Sequence, residues 1–234
     1  MGTMEEPELA RVARLIGEPA RAAMLSALLS GESLPAGELA RRAGVAAATA
    51  SEHLARLTEG GLVVRRRSGR HTYFALAGSD VAAVLEALAR ISAPPTSSRG
   101  ASKSSVESEL RFARTCYDHL AGTLGVLVTG TMLERELIAG PGFALTDRGT
   151  EWLASLQIDA DELRRGRRGL TRPCLDWSER RDHLAGAVAA AITNRMLDQR
   201  WLVRLEGSRA VRLTQRGREG LRRSLELEVP IQSG

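Results

Sequence analysis

Residues 34–76 read LPAGELARRAGVAAATASEHLARLTEGGLVVRRRSGRHTYFAL. Pro35 suits a helix start, because its missing N–H has no partner in a first turn anyway. Leu39 and Ala43 fall four apart on one face of that helix. Gly44 supplies the turn, where a positive φ is often required, and Val45 follows as an apolar plug. The spacing predicts a second helix from about Ala47 to Glu59, with Ala50, Leu54 and Leu57 as a narrow apolar stripe. Thr49, Ser51, Glu52, His53 and Arg56 are left on its other faces. A helix anchored by one stripe, with small polar residues near its N-terminus, can enter a DNA major groove.

Gly60-Gly61 closes that helix. Leu62-Val63-Val64 reads as a strand, Arg65, Arg66 and Arg67 follow, and Ser68-Gly69 makes a turn. After Arg70, His71 to Leu76 returns as the partner strand. This hairpin reads as a wing, suited to phosphate contact or minor-groove insertion. Alone, an arginine run is usually just solvated. Its place behind two helices and a glycine turn favours the wing.

On these residues, Arg14 to Ile91 resembles the ArsR/SmtB family of winged-helix repressors. The stretch LIGEPARAAMLSALLSGESLPAGELARRAGVAAATASEHLARLTEGGLVVRRRSGRHTYFALA carries the resemblance nearly end to end. It implies a homodimer on a palindromic double-stranded DNA operator. It places Ala47, Ala48, Thr49, Ser51, Glu52, His53 and Arg56 on the reading helix, and wing contacts at Arg67, Gly69, Arg70 and His71. The N-terminal helix (Glu8 to Ile16) and Val81 to Ile91 are expected to form the dimer interface, with Leu15, Val84, Leu85, Leu88 and Ile91 buried.

The chain departs from the family at two positions. A cysteine pair is common where this chain has Leu34-Pro35-Ala36-Gly37, and metal-binding histidines are common where Asp80 to Ile91 has none. Neither metal position transfers, so a signal has to enter elsewhere. The front of the reading helix is also bland, since Ala46, Ala47 and Ala48 can read only shape and thymine methyls.

The chain has 234 residues, 43% of them hydrophobic, and a formal charge of +5, which favours polyanionic partners. Lys103 is the only lysine. Arginine forks suit phosphate and guanine, although alanine-, glycine- and arginine-rich composition follows more simply from GC-rich coding. Two cysteines make no disulfide framework in a chain this long. No signal peptide or membrane-length apolar run is evident. The expectation is a cytoplasmic protein with reduced thiols and no membrane partner.

Residues 93–105, APPTSSRGASKSS, read as a linker. The expected division is a winged helix-turn-helix domain over 1–92 and a C-terminal domain over 106–229. The second domain repeats itself. Asp118 to Gly122 (DHLAG) recurs as Asp182 to Gly186, 64 residues on. Thr129, Met132 and Leu133 keep that offset to Thr193, Met196 and Leu197. Leu145 to Gly149 (LTDRG) mirrors Leu213 to Gly217 (LTQRG), with Thr146 and Thr214 as N-caps. Long apolar helices are expected over Tyr117–Ile138 and Ser178–Gln199, with a second wing-like hairpin around Gly207-Ser208. The fold class is mainly α with small β-hairpin wings (α+β): an N-terminal winged helix-turn-helix, then a helical domain of two degenerate winged-helix-like repeats.

Cys116 and His119 are placed three apart on one face of the first long helix. With Cys174 and His183 they can ligate a soft metal or metalloid. They can equally sense by thiol chemistry, or be structural, because Asp118 and Asp182 precede the two histidines identically. The fixed offset aligns Cys116 with Arg180, not with a cysteine. Tyr117, Trp177 and Phe112 are candidates to line an effector pocket beside them. Arg164 to Arg168 (RRGRR) reads as a solvated loop able to touch DNA backbone.

No glycine-rich loop follows a strand beyond residue 105, and no nucleophile triad or carboxylate pair stands out. The leading reading is a non-enzymatic, sequence-specific repressor. It requires no cofactor and is released by a small-molecule, thiol-reactive or metal effector of the C-terminal domain. The rivals are an architectural DNA binder with little sequence preference, and a regulator with an enzymatic C-terminal domain.

Overall fold

The computed structural model describes residues 9–69, 71–92 and 105–230. The chain divides into two compact units, Met1–Leu85 and Glu86–Gly234. The division falls inside a helix, upstream of the expected linker, which lies outside the described residues apart from Ser105.

In the first unit, α1 (Leu9–Ile16) and α2 (Pro19–Leu28) precede β1 (Leu34–Pro35), α3 (Ala36–Ala43) and α4 (Ala47–Glu59). Then come β2 (Val63–Ser68), β3 (His71–Leu76) and α5 (Ser79–Ile91), the helix that crosses the division. Glu18 caps α2 by accepting from the Ala20 and Arg21 N–H groups, and Pro19 takes the first helical position. Gly44 ends α3 in the left-handed region, at φ 67°. The expected stripe is the core stripe: Ala50, Leu54 and Leu57 are buried with Met24, Leu25, Leu28 and Leu39. One strand was not expected. Leu34 and Pro35 pair with Phe74 and Tyr73, giving a sheet of order β1-β3-β2.

The second unit opens with α6 (Ser105–Phe112), β4 (Arg114–Cys116), β5 (His119–Ala121) and α7 (Gly122–Glu134). It continues through β6 (Ile138–Ala139), β7 (Ala144–Leu145), α8 (Asp147–Ser155) and α9 (Ala160–Arg165). A second set follows: β8 (Arg172–Leu175), β9 (Asp182–Ala185), α10 (Ala187–Asp198), β10 (Leu202–Arg204), β11 (Val211–Leu213) and α11 (Gln215–Leu225). Each half therefore runs hairpin, helix, hairpin, helix.

This corrects the expected helices over 117–138 and 178–199. Their N-terminal parts are the turns and return strands (β5, β9) of the hairpins β4–β5 and β8–β9, and DHLAG is a strand that ends at a helix start. The backbone turns at Gly122 (φ 80°) and Gly186 (φ 103°), where an L side chain is strained. A Cβ there would also meet the Arg111 carbonyl oxygen at 2.5 Å or that of Leu170 at 2.6 Å. Tyr117 (φ 63°) turns the first hairpin, so no helix passes through it.

The two halves bond reciprocally. The Leu120 N–H donates to Thr193 Oγ1 at 2.9 Å, and the Leu184 N–H donates to Thr129 Oγ1 at 2.8 Å. Thr146 and Thr214 cap α8 and α11 as expected, each accepting from the glycine three residues on. A continuous apolar core runs through both halves, including Leu124, Met132, Leu153, Val188, Leu202 and Leu221. No helix among the described residues is long and apolar enough to cross a membrane.

Candidate functional site

The first site is the surface formed by α4 and the wing. Ala47, Ala48, Thr49, Ser51, Glu52 and Arg56 are exposed on α4. The Ser51 hydroxyl donates to the Ala47 carbonyl at 2.9 Å. Arg65, Arg66, Arg67, Gly69 and His71 are exposed on the hairpin, where Arg67 pairs with Thr72 and Ser68 with His71. Arg70 lies outside the described residues.

His53 differs from its neighbours, because its ring turns back into the unit. Its Nδ1 lies 3.7 Å from Glu18 Oε2 and 3.4 Å from Arg21 Nη1. Sequence reasoning missed Arg21, which is buried and donates to the Leu15 and Arg14 carbonyls at 2.7 and 2.8 Å. It satisfies carbonyls at the end of α1 that the helix leaves open.

The second site is built on the two hairpins. Cys116 pairs across β4–β5 with His119, and Cys174 pairs across β8–β9 with His183. The helix-face relation expected for Cys116 and His119 is thus replaced by a cross-strand one. The cysteines are also true equivalents, 58 residues apart where the histidines are 64 apart. Two residues separate Cys116 from His119, while eight separate Cys174 from His183. The longer second turn defeats a fixed-offset alignment.

All four side chains are buried, and their ligand atoms lie within 4.8 Å of one another. The two Sγ atoms are 3.9 Å apart, and the two Nε2 atoms 3.1 Å. His119 Nδ1 faces Asp118 Oδ1 at 3.3 Å, and His183 Nδ1 faces Asp176 Oδ2 at 3.4 Å. Each carboxylate is held in turn. Arg168 grips Asp118, with Nη2 to Oδ1 at 3.0 Å, so the basic run is not simply solvated. Asp176 accepts from Arg114 Nη2 at 2.7 Å and from the Gly122 N–H at 2.7 Å, tying the second turn to the head of α7.

The electrostatics follow from these contacts. The hydrogen bond from Cys116, with the two imidazoles beside it, pushes the Cys174 thiol far down, while that shared bond and burial push Cys116 up. Burial alone would lower His183, but Asp176 and Cys174 outweigh it and raise it to about 9. Burial likewise opposes ionisation of Asp118, yet His119 and Arg168 hold its carboxyl at about 2.

The expected aromatic lining does not gather at this cluster. Tyr117 is half-buried in the turn, and Trp177 stacks under Arg114, 4.5 Å from guanidinium carbon to ring centroid. Phe112 packs against the main core. A cavity of about 20 Å³ between the halves is lined instead by residues that include Leu120, Thr129, Met132, Leu184 and Thr193.

A recognition helix behind a glycine turn, flanked by a basic wing, defines a winged helix-turn-helix DNA-binding protein. Residues 16–66 match the helix-turn-helix domain family. Over 225 residues the chain is 39% identical to "uncharacterized HTH-type transcriptional regulator YdfF" of Bacillus subtilis, covering 95% of this chain and 99% of that protein. It is 40% identical over 88 residues to "HTH-type transcriptional regulator CmtR" of Mycobacterium tuberculosis, covering 38% of this chain and 74% of that one. A solved structure of "the cadmium metal-sensor CMTR" from that organism aligns at 34% identity, with a TM-score of 0.32 over 40% of this chain and 96% of that chain. The chain belongs to the winged helix-turn-helix transcriptional regulators of the ArsR/SmtB family. The match to the Bacillus protein runs through both units.

Proposed function

We propose that the chain is a homodimeric, cytoplasmic repressor that holds a palindromic operator and releases it when an effector alters the C-terminal unit. The reading is carried by the exposed front of α4 beside an exposed arginine hairpin. Thr49, Ser51, Glu52 and Arg56 meet base edges, while Arg67, Gly69, Arg70 and His71 meet backbone or minor groove. The effector is a soft metal, a metalloid or a thiol-reactive compound, because the buried Cys/His cluster is the concentrated soft-donor site of the second unit. The chain is not an enzyme in this reading; its role is binding.

Selection of duplexes from a random pool tests the reading, and a palindromic consensus is expected. Arg67→Ala should weaken binding to all sequences and lower the salt slope by about 1. Replacing Thr49, Ser51 and Glu52 together with alanine should change which sequences are enriched. An unchanged consensus would remove α4 from base reading. The exposed alanines Ala47 and Ala48 favour one alternative, an architectural binder without sequence preference. A pool that returns no consensus would establish it.

A further inference from the structure

We infer that Cys116, His119, Cys174 and His183 form a closed four-ligand site for one zinc-class d10 divalent cation per chain, with Asp118 and Asp176 as its ligand-orienting residues. This deepens the effector reading above, and its test is separable from it.

The geometry comes first. Zinc holds imidazole nitrogen at about 2.0–2.1 Å and thiolate sulfur at about 2.3 Å in a tetrahedron. Those lengths put two nitrogens about 3.3 Å apart and two sulfurs about 3.8 Å apart. The observed separations are 3.1 Å and 3.9 Å. All four ligand atoms lie within 4.8 Å of one another, so the nitrogen–sulfur edges close by no more than about 1 Å on binding. Two thiolates with two imidazoles suit a borderline-soft cation and not magnesium or calcium, which take oxygen.

The surroundings are a second, independent observation. Each imidazole presents Nε2 to the cluster and Nδ1 to a carboxylate. Each carboxylate is fixed by its own arginine, Asp118 by Arg168 and Asp176 by Arg114. A carboxylate behind a ligating histidine sets the ring's tautomer and orientation. The arrangement occurs on both hairpins, although the turns that supply it differ in length. A disulfide would need the sulfurs at about 2.05 Å, far closer than they stand. Four buried protein ligands fill a tetrahedron and leave no open position, as in structural and regulatory zinc sites rather than catalytic ones. The hairpins head α7 and α10, so one cation ties the two halves of the unit at their shared face.

The test uses the full-length reduced protein, freed of metal and kept anaerobic. Cobalt(II) chloride should give the intense visible absorption of a tetrahedral thiolate complex, saturating at one equivalent, and zinc should bleach it. Zinc should protect both thiols from iodoacetamide in the unaltered chain. Cys116→Ser with Cys174→Ser should weaken zinc binding at least 100-fold. Asp118→Asn should weaken it about 10- to 100-fold, with circular dichroism unchanged. An octahedral cobalt spectrum would overturn the proposal. So would thiols alkylated equally with and without zinc, or full affinity in the double serine variant. Tetrahedral binding without any change in DNA affinity would uphold the site and remove its effector role. A DNA response to zinc with no cobalt binding would overturn the site itself.

Discussion

Replacing Arg114 with methionine is expected to destabilise the second unit by about 3–5 kcal/mol. Arg114 and Asp176 are 1% and 0% exposed at their side chains, and Nη2 meets Oδ1 at 2.7 Å. Methionine fills much of the same volume but removes the charge. Asp176 would then keep its bonds to Ser178 and the Gly122 N–H and its His183 neighbour, but lose the guanidinium that pairs its buried charge. Trp177 would also lose the nearer of the two guanidinium groups over its ring. The measurement is urea unfolding of the full chain, followed by tryptophan fluorescence. All three tryptophans, Trp152, Trp177 and Trp201, lie beyond residue 105, so fluorescence reports the second unit alone. Arg114→Met with Asp176→Asn should recover part of the loss, because the orphaned charge is gone. A single-variant loss below about 1 kcal/mol would mean that the pair is worth no more than a surface ion pair.

The first unit was legible because its signals are local and periodic. Ala50, Leu54 and Leu57 set the α4 stripe, Gly44 set the turn, and two strand-like runs about Ser68-Gly69 set the wing. What escaped there depends on distant partners. Arg21 looks like a solvent-facing helix residue until the end of α1 supplies two carbonyls for it. His53 looks like a base reader until Glu18 and Arg21 stand beside it.

The second unit was legible as a repeat and misread as local structure. DHLAG is short and free of proline, so a helix and a strand fit it equally well. Strand pairing and the positive φ at Gly122 and Gly186 decide the outcome, and pairing is a tertiary fact. The four cluster residues were identifiable by type, since soft donors are scarce in this chain. Their convergence was not, because the turns between Cys and His differ by six residues. Asp176 carried no signal at all. Its role appears only when the second turn folds over the head of α7.

Val84→Glu combined with Leu88→Glu is expected to convert the protein to a monomer and to lower affinity for a palindromic duplex by at least 1000-fold. Six large apolar side chains are exposed among the described residues, and four of them, Leu9, Val84, Leu88 and Ile91, lie on α1 and α5. Val84, Leu88 and Ile91 follow the i, i+4, i+7 spacing of one helix face. Ile91 is 81% exposed and Leu9 78%, which is unusual for isolated chains and ordinary for half of an interface. A twofold contact uses the same patch twice, so each residue is buried in two copies. Burying one such side chain is worth about 1.5–3 kcal/mol, and two glutamates set four like charges against each other in the dimer. A dimer presents two copies of α4 about one DNA turn apart, near 34 Å, whereas a monomer holds a single half-site. Sedimentation should show the 25.2 kDa chain mass for the variant and twice that mass for the parent. Circular dichroism should be unchanged, because neither position contributes to the core. A variant that stays dimeric would move the interface away from α5. A variant that becomes monomeric yet binds the palindrome as tightly as the parent would end the symmetric reading of the operator.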